Sequence, residues 1–486
     1  MSSRDIDETA PQSLDWAIAG AAAASMLATG VLGLPSLVVA LVWLVLAAGA
    51  WWSPVGVASA AIVTLPWFHH PIAVGQQSVP ASELLLSAAA TGLAARLIVS
   101  LAVNRPCNRR ATLDALWDSV RAPLIAAGVV LAVVGLLLAI WPYDPSHRAE
   151  SLREWRWTLA EPLVLIGILA LAGRGRGLLV VIALVSGATI AGLQGLTDFI
   201  TGGGVLVDGA RRVAGPYPHP NALGLFLSRV VALGLAWWVI DSRYRRALLI
   251  VVAIAGLALL ATLSRGAILA CGVAGALALW RAPGRIRTHA YAAGGLAALG
   301  LLIIVRERML DLFSGGSGSL RLAIWESALR MIGDRPIRGY GNDQFLYAYL
   351  PRYVDPVAWG ERFTAHAHNI ALDFWVRLGI IGVAFVALAA VVCVVSAWRV
   401  ARGTDRRDAI SGAASIGLIA VLSHGLVDNA YFAHDLAMSA WAMGWLAFGR
   451  RVPAQREEAA IHAGTRHRWS WLHRLAPDGK PPGGRS

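Results

Sequence analysis

The sequence is short of charge. Asp, Glu, Lys and Arg together make 15% of its 486 residues, against about 25% in soluble domains. A chain of this size with so few charges cannot cover a water-facing surface, which excludes an ordinary soluble globular protein. Lysine is nearly absent: Lys480 is the single lysine among 42 basic residues. The three cysteines, Cys107, Cys271 and Cys393, are too far apart for a disulfide framework or a metal-ligand spacing. The N-terminus is acidic (Asp5, Asp7, Glu8), so no cleavable signal peptide is expected and the first apolar helix is expected to serve as the insertion signal. The apolar runs lack the period-2 alternation of an outer-membrane barrel. The net charge of +13 sits in short arginine clusters between apolar runs, as membrane topology requires and nucleic-acid binding does not.

What is abundant is apolar sequence, 57% of residues, with a mean hydropathy of +0.60. Runs near the roughly 20 residues that cross a bilayer recur from Trp16 to Phe448. Lipid offers the backbone no partner, so these runs read as helices. The expected fold is therefore all-α, a polytopic integral membrane protein of 12–14 helices. The expected helices are 16–32, 34–51, 54–68, 82–103, 121–141, 158–172, 177–197, 221–240, 247–262, 265–281, 289–305, 369–397, 408–426 and 434–448, the short 54–68 and 158–172 being the weakest.

With the N-terminus placed in the cytoplasm, arginine-rich connections fall on the inner side: Arg105 to Arg110, Arg174 and Arg176, Arg243 to Arg246, Arg281 to Arg287, Arg399 to Arg407, and the tail from Arg450. The turn at Gly33 and the loops 69–81 and 427–433, which fall outside, hold no Arg or Lys. One outer loop, 141–157, breaks the trend with Arg148, Arg153 and Arg156, offset by Asp144, Glu150 and Glu154. The outer loops 198–221 and 306–368 are long, and the second is large enough for a small subdomain. Within it, apolar positions from Leu322 to Ile332 predict an amphipathic helix, stopped by Pro336, Gly339 and Gly341.

Arginines on the outer side need a reason. Arg211 and Arg212 precede Gly215-Pro-Tyr-Pro-His-Pro-Asn221, Arg265 lies between two membrane helices, and Arg321 opens the large loop. A guanidinium matches phosphate oxygens in pairs, so the cluster points to an anionic ligand such as a lipid-linked diphosphate. Taken singly, each large-loop arginine is also accounted for by a loop carboxylate or by snorkelling. His366 and His368 close the large loop, where an imidazole can take a proton. A metal is not expected: Asp373 falls on a different helical face from His368 and no cysteine is near.

His368-Asn369, nine residues and Gly379-Ile-Ile-Gly382 resemble the signature of the O-antigen ligase and O-antigen polymerase superfamily. Arg212 through Pro220-Asn221-Ala-Leu-Gly224, Thr262-Leu-Ser-Arg265-Gly266, and Arg321-xxx-Trp325 with Asp334-Arg-Pro336 to Gly341 resemble further family elements in the same order. The resemblance covers about residues 200–395.

It implies a fold like that of the membrane-embedded C-type glycosyltransferases. It also implies transfer of a glycan from an undecaprenyl-diphosphate donor to a hydroxyl on a glycan, lipid A-core or other acceptor, at the outer face of a bacterial cytoplasmic membrane. On that likeness Arg265, Arg212, Arg211 and Arg321 bind diphosphate, and His368, with His366 second, is the base. Asn369, Gly379, Gly382, Pro220 and Asn221 are structural, Asn369 as a helix cap and the two glycines for close helix packing. No cofactor, metal or nucleic acid is implied, and direct attack inverts the anomeric carbon. The parts are then N-terminal helices (1–200), a core (201–398) holding the loop 306–368, C-terminal helices (399–450) and a basic cytoplasmic tail (451–486). Two other classes fit membrane helices: a transporter or flippase of lipid-linked sugars, with its charges near mid-membrane, and a scaffold whose Arg and His are dispensable.

Overall fold

The computed structural model describes residues 12–103, 122–173, 175–207, 209–241, 245–280, 284, 288, 317–402 and 409–449. The expected helix 289–305, the start of the large loop, most of the arginine-rich inner connections and the tail lie outside these residues.

The apolar runs form helices, as the cost of bare backbone in lipid demands. They are α1 (Gln12–Leu32), α2 (Ser36–Trp52), α3 (Pro54–Val63), α4 (Ala81–Val103), α5 (Pro123–Ile140), α6 (Arg148–Trp155), α7 (Glu161–Ala172), α8 (Gly177–Ile200), α9 (Pro220–Ile240), α10 (Arg245–Ala261), α11 (Arg265–Trp280), α12 (Ser317–Asp334), α13 (Phe345–Arg352), α14 (Ile370–Ala401), α15 (Ala409–Gly425) and α16 (His434–Gly444). Among the described residues, seven helical spans are long and apolar enough to cross a membrane, and five shorter apolar helices accompany them. The chain is an all-α polytopic membrane protein. Leucines and valines such as Leu37, Leu41, Leu44 and Val45 on α2 stay exposed, as a lipid-facing surface requires.

One expected boundary moves. The segment read as an outer loop to Trp157 is helical from Arg148, and a single π-helical turn, Arg156–Ala160, joins α6 to α7. Two of its three arginines are paired where they stand: Arg156 meets Glu83 at 2.6 Å and Glu161 at 3.1 Å, and Arg153 meets Asp343 at 3.9 Å, which accounts for their departure from the charge trend.

Two small antiparallel hairpins, β1–β2 (Ile72–Val74, Gln77–Val79) and β3–β4 (Val205–Val207, Ala210–Arg212), occupy loops. The central helix α9 packs on α10, α11 and α15. It buries one charge, Arg229, whose guanidinium donates to the carbonyls of Leu225, Ala430 and Leu436 at 2.8–3.0 Å and so ties α9 to the 426–433 loop. The large loop builds a second apolar cluster outside the helical bundle, from Ile324, Ala328 and Met331 of α12 to Phe345, Ala348 and Tyr349 of α13. The amphipathic spacing read in 322–332 is this inward face.

α14 is a helix with a break. Gly379 has φ +62° and ψ −151°, outside any helical geometry. The break frees the carbonyls of Val376 and Arg377, which accept the N–H groups of Tyr340 (2.7 Å) and Gly341 (2.9 Å); Ile380 N–H donates to Ile337 O at 3.2 Å. A Cβ on Gly379 would sit 1.9 Å from Ile337 O. The signature glycines were expected to allow helix-on-helix packing. Gly379 instead admits the 337–341 loop segment into a helix, and Gly382 packs on Phe374 O and Leu378 of the turn wound back across the break.

Candidate active site

The large loop ends at Asn369, an N-cap whose Oδ1 accepts from Ala371 N–H (3.0 Å) and Leu372 N–H (3.2 Å) while Nδ2 donates to Leu426 O (3.0 Å). One side chain therefore starts α14 and fastens it to the end of α15. Just before it, His368 takes a left-handed conformation, φ +53°, which is rare for a non-glycine residue and marks a position held by its surroundings.

Two ties hold it. Ala367 N–H donates to Asp373 Oδ1 at 2.7 Å, and Ala365 O accepts from Arg377 Nη2 at 2.9 Å. Arg377 is itself almost fully buried. It bonds Asp373 at 3.0 Å and both oxygens of Glu154 at 3.0 and 3.3 Å, and lies 4.3 Å over the Phe432 ring. Glu154 also accepts the backbone N–H of Asp343. A charge in a membrane helix needs such partners, and here they shape the loop that carries both histidines.

His368 Nδ1 lies 3.1 Å from Asp428 Oδ1. An ionised carboxylate only accepts, so it fixes Nδ1 as the donor and leaves Nε2 with a lone pair. Nε2 faces Thr364 Oγ1 at 3.5 Å, which also stands 3.3 Å from His366 Nδ1. The two imidazole centroids are 4.2 Å apart. Burial opposes ionisation of Asp428, but the hydrogen bond from His368 and the positive charge of Arg321 prevail and hold its carboxyl well below the usual range. Burial first, then the neighbouring His368 imidazole and the charges of Arg377 and Arg321, keeps His366 well below its ordinary value and therefore neutral near pH 7. Arg321, on α12, reaches Asp428 Oδ2 at 3.7 Å.

The remaining arginines reach this end of the bundle by separate routes. Val213 N–H donates to Ala261 O at 3.0 Å, which sets Arg212 beside the end of α10 and the start of the Thr262–Gly266 turn. Pro220 opens α9 and is buried, and Asn221 N–H is capped by His219 Nδ1 at 3.2 Å. Gly224 on the next turn lies against Ser264 and Ala267. Arg265 is the first residue of α11, and Gly266 abuts the edge of His424, one turn before Asp428. Successive strand residues point to opposite faces. Arg212 is buried, whereas Arg211 is exposed and stacked 4.4 Å over Phe199. The hairpin thus separates the two arginines that the sequence set side by side.

Sequence reasoning did not name Asp428, Arg377 or Arg229, and read Glu154 only as an offset to the arginines of its own loop. Arg229 stands alone in a long apolar run and Arg377 has only Asp373, one turn back, in its own; charges so placed signal buried partners. Asp428, in a loop free of Arg and Lys, carries a weaker version of that signal.

Together these features define a multi-pass α-helical membrane protein that gathers a histidine–carboxylate pair and several arginines at one end of its bundle. Residues 248–387 match the family model described as O-Antigen ligase. The match bears out the resemblance and supports an O-antigen ligase-like membrane glycosyltransferase. The matched stretch holds Arg265, Arg321, His366, His368, Asn369, Gly379 and Gly382, while Arg212 and Asp428 lie outside it. No curated protein matches the chain.

Proposed function

We propose that this chain transfers a glycan from an undecaprenyl-diphosphate carrier to an acceptor hydroxyl at the outer face of the cytoplasmic membrane. The observation that carries the reading is the His368–Asp428 pair with Arg321 in contact with the same carboxylate. The acceptor O–H gives its proton to His368 Nε2 as its oxygen bonds to the anomeric carbon. The bond from that carbon to the diphosphate oxygen breaks, and the electron pair leaves on the diphosphate. Attack opposite the leaving group inverts the centre. Asp428 orients the imidazole and stabilises its charged form, as the acid does in other base–acid pairs. Arg265 and Arg212, with Arg321, stabilise the charge growing on the leaving group, a role that preorganised cations fill without a metal. Arg211, on the outer face of its hairpin, serves the approach of the anion.

The test uses the full chain in nanodiscs with a synthetic undecaprenyl-diphosphate oligosaccharide and EDTA, followed by gel and mass spectrometry. A ladder from donor alone identifies a polymerase, and a single addition to an offered acceptor identifies a ligase. Movement of intact donor across a vesicle membrane with no glycan transferred overturns the reading in favour of a transporter.

A further inference from the structure

His366, His368 and Asp428 each present a metal-competent atom, and the three atoms lie within 4.8 Å of one another. An equilateral triangle with that side has its centre about 2.8 Å from each corner, and Zn²⁺ bonds imidazole nitrogen at about 2.0–2.1 Å. Inward shifts of under ~1 Å per side chain therefore complete a three-ligand set. The donors are chemically suitable, two imidazoles and a carboxylate, the mixture that borderline divalent ions prefer over Mg²⁺ or Ca²⁺. Thr364 Oγ1, 3.3 and 3.5 Å from the two rings, supplies a neutral oxygen beside the gap. The histidines are only two residues apart and are held at their spacing by the ties to Asp373 and Arg377, so part of the ordering is done before an ion arrives. One feature opposes a cation: Arg321, 3.7 Å from Asp428. Its side chain is about one-third exposed, which leaves it a path to solvent.

We infer that His366, His368 and Asp428 form a binding site for one divalent ion of the Zn²⁺ class, which displaces Arg321 from Asp428 and excludes the acceptor hydroxyl. The ion is an inhibitor, since it occupies the nitrogen or the carboxylate that proton removal needs. Binding stands on the geometry alone; inhibition rests on the glycosyl-transfer reading.

The experiment takes the full chain, untagged and stripped with EDTA, and titrates it with Co²⁺, following the visible d–d absorption, then with Zn²⁺ in competition. One Co²⁺ per chain, displaced by Zn²⁺, is expected at this site. His366→Gln and Asp428→Asn each weaken it at least tenfold, and Arg321→Gln strengthens it several-fold by removing the competing charge. Size-exclusion profiles and far-UV circular dichroism confirm that each variant is folded; if one is not, the other and Arg321→Gln decide. Absence of Co²⁺ binding, or binding indifferent to all three variants, overturns the site. Turnover is then measured with EDTA and with saturating Zn²⁺. Zn²⁺ is expected to suppress the native chain at least tenfold, and the suppression to shrink in His366→Gln relative to its own EDTA rate. Binding without suppression removes the inhibitory role. If no condition gives transfer, the glycosyltransferase reading fails while the Co²⁺ titration still decides the site.

Discussion

Two of the close histidine–carboxylate pairs among the described residues differ in a way that shows what makes one of them a site. His368 meets Asp428 at 3.1 Å and His434 meets Glu161 at 3.2 Å. By distance they are equals. His434 is wholly inaccessible, stacked 5.1 Å from Phe68 and bonded to Ser82, and Glu161 also holds Arg156. It joins α16 to α4 and α7 and has no opening for a substrate. His368 is one-fifth exposed, stands on a left-handed loop residue, and shares its carboxylate with an arginine that can move away. Both carboxylates also meet an arginine; what differs is access and the hydrogen bond itself, which His368 makes to Asp428 and His434 Nδ1 does not make to Glu161.

The largest expected effect tests that contrast directly. His368→Ala lowers glycan transfer by about 10²–10⁴-fold with little change in thermal stability, the magnitude of losing a positioned base. His434→Ala leaves the buried Ser82 hydroxyl without its partner and costs about 1–3 kcal/mol of stability, with a smaller effect on turnover per folded molecule. Turnover and melting of both variants, measured side by side, would erase the distinction if the two lost activity equally at unchanged stability.

Next comes the frame under the open pair. Arg377→Met leaves Glu154 and Asp373 buried without their cation and is expected to cost about 3–5 kcal/mol, read as a fall in melting temperature with loss of transfer. Activity retained at native stability would show that the histidine loop holds itself. A smaller effect separates capping from docking. Asn369→Ala is expected to cost about 1 kcal/mol. Asn369→Ser restores the cap but not the bond to Leu426 O, so it should recover stability and leave turnover depressed. Full recovery of both would make the link to α15 irrelevant.

The smallest effect is a pH dependence. Burial, then the charge of Glu154, pushes the Asp343 carboxyl up to about 6, with Arg377 and Arg153 opposing. A folded-state value above the unfolded one favours the protonated, folded form. Asp343 therefore supports the fold below about pH 4 and loses that contribution as pH rises from about 4 to 6. Asp343→Asn, which tolerates the observed φ of +51°, should raise the melting temperature at pH 7.5 and leave it nearly unchanged at pH 4. A gain that is the same at both values would assign it to something other than ionisation.

The membrane helices were legible because each apolar run must satisfy its own backbone, so expected and observed spans agree closely for the apolar runs wherever residues are described, while the short helices α6 and α13, which lie in polar or mixed loop sequence, were not foreseen. The histidines and Arg321 were legible too, through a motif and through charge on the wrong side of the topology. What joins them was not. Asp428 is 60 residues from His368, and Glu154 is 223 residues from Arg377. Such pairings depend on which helices are neighbours, and local periodicity does not record that. The separation of Arg211 from Arg212 was hidden for the opposite reason: it follows from a three-residue strand too short to announce itself within a loop.

The break at Gly379 sets an order of assembly. Val376 and Arg377 offer carbonyls that nothing within their own helix satisfies, and their partners, Tyr340 and Gly341, are synthesised some 36 residues earlier, on the other side of the histidine loop. Bare carbonyls are costly in hydrocarbon, so the first turns of α14 settle only when the 337–341 segment has returned to fill them. The histidine loop, strung between those two segments, is then among the last parts of the bundle to take shape. Amide exchange would reveal this as protection of Tyr340 and Gly341 that rises and falls with that of α14, and not with the loop in which they lie.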